Sequence, residues 1–130
     1  MPRNYQRTKN NPYLLPHNLY MRTLYVIRDY DRRKDEYIAL AYVSPHQMNG
    51  APGSGRPSNP TENRGIRRAA LFDELEAVEQ ALMAIPDEYR QGVRQNVMYG
   101  AWYPKNADVR TYQRWKQRFV YLVAGRLGFI

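Results

Sequence analysis

Cysteine is absent from all 130 residues. Its absence removes a disulfide framework, a thiolate nucleophile and any zinc ribbon, and it fits a reducing compartment. Long apolar runs are missing too. None approaches the ~18 residues that span a membrane, and the first residues lack the apolar centre of a signal peptide. The expectation is a cytoplasmic protein with no membrane partner. Acids are scarce in two stretches. Residues 1–16 hold Arg3, Arg7 and Lys9 without an Asp or Glu, and from Lys105 onward six Lys or Arg stand against Asp108 alone.

What is present in excess is positive charge. Twenty Lys and Arg against 12 Asp and Glu leave +8, with a sequence pI of about 9.9. Such a balance favours an acidic partner such as nucleic acid or an anionic membrane. The length suits one compact domain with a real core.

Residues 1–16 read as a basic, Pro-broken arm, with Tyr13, Leu14 and Leu15 available to anchor its end. Residues 17–43 carry a helical pattern in Leu19, Leu24, Ile27 and Tyr30. A second helix or a bent continuation holds Tyr37, Ile38, Ala41 and Tyr42, with Asp29 or Asp31 as its cap. Tyr20, Tyr25, Tyr30, Tyr37 and Tyr42 suit an amphipathic aromatic layer better than a stacking platform. Residues 44–60 are rich in Pro and Gly and read as a linker. Residues 61–130 open with a long helix on which Leu71, Leu75, Val78, Leu82 and Ile85 recur at steps of 4, 3, 4 and 3. That seam suits packing within one chain, with a dimeric coiled coil as the alternative. Its middle carries Glu74, Glu76 and Glu79, expected on the outside. Pro86-Asp87 closes it and starts another helix, with Tyr89, Val93 and Val97 inward and Gly100 as its C-terminal stop. The expectation is an all-α fold: a small helical domain of four to six helices ending in a helix-turn-helix-like pair.

Catalytic signals are poor. His17 and His46 lie near prolines with no carboxylate or thiol at ligand spacing, which suits surface or capping roles. The three glutamates do not converge on one helical face. The run from Gly50 to Arg56 lacks the Gly-Lys-Ser/Thr ending of a phosphate loop and a preceding strand. A Ser-His-Asp or Cys-His arrangement cannot be built. The expectation is a protein that is not an enzyme and needs no cofactor or metal.

The most informative segment is the last helix. Asp108 is a good N-cap and Gly128 a natural stop. Between them Tyr112, Trp115, Phe119, Leu122, Val123 and Leu127 would line the buried face. At 100° per residue, Arg110, Gln113, Arg114, Gln117, Arg118 and Tyr121 then fall on the opposite side. Arg and Gln reach phosphates and base edges in a groove. The plain alternative is a core helix with a solvated basic face, against which the one-sided charge argues. On the nucleic-acid reading Arg110, Gln113, Arg114 and Gln117 face the groove of the DNA. Lys105, Lys116 and Arg118 reach phosphates from its rim.

The order of features from Asn59 onward adds a family likeness. Asn59-Pro60-Thr61-Glu62 opens the long helix, and Pro86-Asp87-Glu88-Tyr89 opens an Arg-bearing one. Arg110-Thr111-Tyr112-Gln113-Arg114-Trp115-Lys116 follows, then Phe119-Val120 and Leu127-Gly128. This pattern resembles the RinA-type transcriptional regulators of phages and prophages, over about half of the chain. The resemblance implies a C-terminal part like region 4 of a sigma factor, a helix-turn-helix on double-stranded DNA, with RNA polymerase as a partner. The chain departs from such a module in one respect. Only residues 101–108 separate Tyr99 from Val109, too few for an extra helix. Either residues 87–99 support the last helix across a longer turn, or the module is a variant. The alternative function is a small helical phage interaction or assembly adaptor without sequence-specific DNA binding. A nonspecific DNA- or RNA-binding module is a third.

Overall fold

The structure, a computed structural model, describes residues 6–41 and 60–130. The Gly-rich run 50–56, His46 and Tyr42 lie outside these. The described chain is all-helical, with helices α1 (His17–Arg28), α2 (Tyr30–Ala41), α3 (Pro60–Met83), α4 (Asp87–Tyr99) and α5 (Val109–Arg126). Leu24 to Ile27 and Tyr37 to Val43 also admit a strand on their aromatic and β-branched content; the first, and the second as far as Ala41, are helical, and residues 42–43 lie outside the described residues.

Helices α1 and α2 are separate but nearly continuous. Asp29 takes a non-helical ψ of 0° at the end of α1, and its carbonyl accepts the Arg33 amide at 2.9 Å to begin α2. Two Schellman-type closures end α4 and α5. Gly100 (φ 69°) and Gly128 (φ 76°) take the left-handed conformation that costs other residues a steric penalty. Around them Ala101 N–H donates to the Gln95 carbonyl and Phe129 N–H to that of Ala124. At the other end of α5, the Asp108 carboxylate accepts the Arg110 amide at 3.0 Å.

Helix α5 is central, packed by α1, α3 and α4, while α2 lies chiefly along α3. One core joins the segments either side of residues 42–59. Tyr20, Leu24, Ile27 and Tyr30 meet Leu75, Val78, Leu82 and Ile85, Val93 and Val97, and Tyr112, Phe119, Val120 and Val123. The seam of α3 is therefore buried within this chain.

Glu74, Glu76 and Glu79, expected on the outer side of α3, are only partly exposed, and two of them tie it to its neighbours. Glu79 accepts the Tyr30 hydroxyl and lies 3.9 Å from Arg94, and Glu74 pairs with Arg33 at 3.1 Å. Burial and the Glu79 hydrogen bond both raise the Tyr30 pKa above the ordinary phenol value. Glu36 pairs with Arg67, and Arg68 lies 3.9 Å over the Tyr37 ring. Several acids of α2 and α3 are thus held in pairs along the face where these two helices pack.

Candidate nucleic-acid interface

The start of α5 is positioned by a rigid loop. Residues 100–108 fold over α4 because Gly92 leaves no room for a side chain there: a Cβ would stand 2.6 Å from the Tyr112 ring and 2.7 Å from the Pro104 ring. Tyr103 stacks on Tyr112 at 5.1 Å, and Tyr89 meets Tyr112 edge-on at 5.5 Å. Asn106 accepts the Tyr112 hydroxyl and donates to the Glu88 carbonyl at 3.3 Å. This loop joins α4 to α5 over nine residues, whereas the connection from α3 to α4 has three. The short helix-turn-helix spacing therefore falls at α3–α4, not at the last pair. The second helix of that short pair has little cationic surface. Asp87, Glu88 and Gln91 are exposed on it, while Arg90 donates to the carbonyls of Leu82, Met83 and Ile85 and closes α3.

Four of the seven residues expected at the DNA surface, Lys105, Arg110, Gln113 and Arg114, are exposed at the N-terminal end of α5. Arg118 is half-buried, with its guanidinium 5.6 Å from the ring centres of both Tyr13 and Trp115. Two expectations are corrected. Lys116 is 6% exposed and Gln117 8% exposed, so neither lies at a rim or in a groove of DNA. The buried stripe of α5 is Tyr112, Lys116, Phe119, Val120, Val123 and Ala124. It is rotated from the one expected because Lys116 follows Tyr112 by four residues and precedes Phe119 by three. Trp115 and Leu122 sit at the stripe's edge, partly exposed.

The arm explains Gln117. Its amide donates to the Gln6 side chain at 2.8 Å and to the Tyr13 carbonyl at 2.7 Å. Gln6 in turn brackets Leu15, accepting from its N–H at 2.8 Å and donating to its carbonyl at 2.7 Å. Asn10, at φ 54°, and Asn11, whose side chain accepts the Tyr13 amide, turn the arm back onto α5. The described part of the arm is built into the domain.

A groove of about 1190 Å³ runs between arm and helix. It is lined by five cations, Arg7, Arg110, Arg114, Lys116 and Arg118, and among the described residues no carboxylate lines it. Its aromatic walls include Tyr13, Trp102 and Trp115. Tyr20, Asn96 and Lys116 form the innermost lining, each at most 6% exposed. Desolvation, reinforced by the nearby Arg28, lowers the Lys116 pKa to about 8. Burial raises that of Tyr20 to about 12, with Arg28 opposing. Asn96 donates to the Ala101 carbonyl at 2.8 Å, but its Oδ1 is buried with no hydrogen-bond partner. Sequence reasoning missed Tyr20, Asn96 and Trp102. The only advance signal was a lysine at a core position of α5.

Among the described residues no three acidic or histidine side chains cluster to hold a metal, and no helix is long and apolar enough to cross a membrane. Compared with protein-family models, curated proteins and solved structures, the chain matches none.

Proposed function

We propose that the protein binds double-stranded DNA as a phage- or prophage-type transcriptional regulator, using the exposed N-terminal half of α5. The observation that carries this reading is the outer surface of the groove, where Arg7, Arg110 and Arg114 are exposed and no carboxylate of the described residues takes part in the lining. Arg110, Gln113 and Arg114 occupy the first turns of α5, the part of a recognition helix that meets base edges. Lys105 and the arm's Arg7 and Lys9 add exposed charge for phosphates. RNA polymerase is the protein partner that the RinA-type likeness adds. The nine-residue α4–α5 connection makes this a variant presentation of the helix, held by the Tyr103–Tyr112 stack in place of a tight turn.

The test is fluorescence anisotropy with a random-sequence duplex across a salt series, followed by selection of preferred sites. Affinity falls with salt, and Arg114→Ala loses about 1–3 kcal/mol at a preferred site and relaxes its sequence preference. Absence of duplex affinity at low salt overturns the reading and leaves the adaptor role in its place.

A further inference from the structure

The innermost part of the groove has features that duplex binding does not use. Lys116 has no hydrogen bond or ion pair among the described residues, although it is 6% exposed. A lysine set this deep in a groove that no described carboxylate lines is suited to an anionic ligand, because the burial of its side chain is otherwise only partly compensated. The one charge that acts on it is another cation, Arg28, which also acts on Tyr20. In the lining of the same groove the buried Asn96 Oδ1 is an acceptor without a donor among the described residues. Trp102, also in the groove lining, is 74% exposed, and among the described residues no ring contact occupies its faces.

We infer that the Tyr20–Asn96–Lys116 floor is a binding site for a nucleotide, with Lys116 and Tyr20 taking the phosphate, Asn96 Oδ1 accepting an N–H or O–H, and Trp102 stacking on the base. An anion at Lys116 supplies a counter-charge that no described carboxylate of the groove lining provides. A planar heterocycle uses an exposed indole, whose stacking on a base is tolerant of sequence. The volume of about 1190 Å³ exceeds what one nucleotide needs. The nucleotide is therefore either a free molecule or one unit of a single strand entering along the arm. This inference goes beyond duplex recognition and does not depend on it.

Calorimetric titration of the full chain with AMP, adenosine, inorganic phosphate and an oligothymidylate tests the site. AMP binds more tightly than adenosine or phosphate alone. Lys116→Met weakens AMP at least about tenfold, the loss of a charge-assisted hydrogen bond, and Tyr20→Phe weakens it about threefold. Trp102→Ala, an exposed position that leaves folding intact, weakens AMP and leaves phosphate unchanged. If the oligothymidylate binds in a Lys116-dependent way and AMP does not, the nucleotide belongs to a strand and the site stands. Failure of both ligands to bind, or equal binding by wild type and Lys116→Met with native circular dichroism, overturns it. Duplex affinity measured on the same proteins separates the two readings: Arg114→Ala lowers it, and Lys116→Met does not.

Discussion

At the scale of single residues, Lys116 has a measurable thermodynamic consequence. Its folded pKa of about 8 lies below the ordinary lysine value of 10.5, with desolvation the larger cause and Arg28 the smaller. A base with a depressed pKa makes the unfolded chain bind more protons between those two values, so its contribution to stability improves as pH rises through that window. Below pH 8 the folded protein carries the whole penalty, on the order of 3 kcal/mol. Lys116→Met should therefore be more stable than wild type at pH 7, and the difference should shrink between pH 8 and 10. Urea denaturation at a series of pH values measures it; a gap independent of pH would show that Lys116 is solvated. Two glycines inside helices make the complementary case. Gly65 has open space around it, so Gly65→Ala should stabilise by about 0.5–1 kcal/mol through helix propensity. Gly92→Ala has the same propensity gain but drives a methyl into the Pro104 and Tyr112 rings. It should destabilise by about 1–3 kcal/mol and loosen the loop that sets α5. Opposite signs in thermal melts are the expected outcome.

Elements show where periodicity succeeds and where it stops. The stops at Gly100 and Gly128, the cap at Asp108 and the α3 seam were legible because each depends on a few adjacent residues. The orientation of α5 was not. Reading its inner face from the largest apolar side chains gave Trp115 and Leu122 too much weight and hid Lys116 among Tyr112, Phe119 and Val120. Phe119 is fully buried, so Phe119→Ala should cost about 3–5 kcal/mol. Trp115, partly exposed and stacked on Tyr89 at 6.1 Å, should cost less on truncation. Equal losses in chemical denaturation would contradict this orientation. The arm escaped the sequence for another reason: Gln6 and Gln117 are 111 residues apart, and a polar pair at that separation leaves no periodic trace. On composition alone the arm reads as expendable for folding. Its hydrogen bonds say otherwise. Deleting residues 1–11 removes the three Gln6 bonds and should cost about 2 kcal/mol, seen as a fall of several degrees in melting temperature. An unchanged melting temperature would return the arm to the status of a tether.

For the molecule as a whole, the distribution of charge matters more than its sum. Of the 12 acids, all but Asp108 lie between Asp29 and Glu88, the stretch that builds α2, α3 and the start of α4. Several are neutralised there, in the pairs Arg33–Glu74, Arg67–Glu36 and Arg90–Asp87. The arm and α5 therefore keep nearly all their positive charge unopposed, and Arg7, Arg110 and Arg114 bring part of it to the groove. The candidate surface was legible in the sequence to this extent: a count of acids against position locates it, even though the roles of Lys116 and Gln117 do not follow. This segregation of charge also makes a prediction that net charge alone does not. Removing a cation changes the total by one unit wherever it is removed, but only cations that meet phosphates displace counterions on binding. Lys105→Ala and Arg114→Ala should each reduce the slope of log affinity against log salt by about one. Lys34→Ala, an exposed cation on α2 whose ammonium lies near the Tyr30 ring, should leave that slope as it is. Equal effects from Lys34 and Arg114 would mean that the protein attracts DNA by overall charge, without an oriented face.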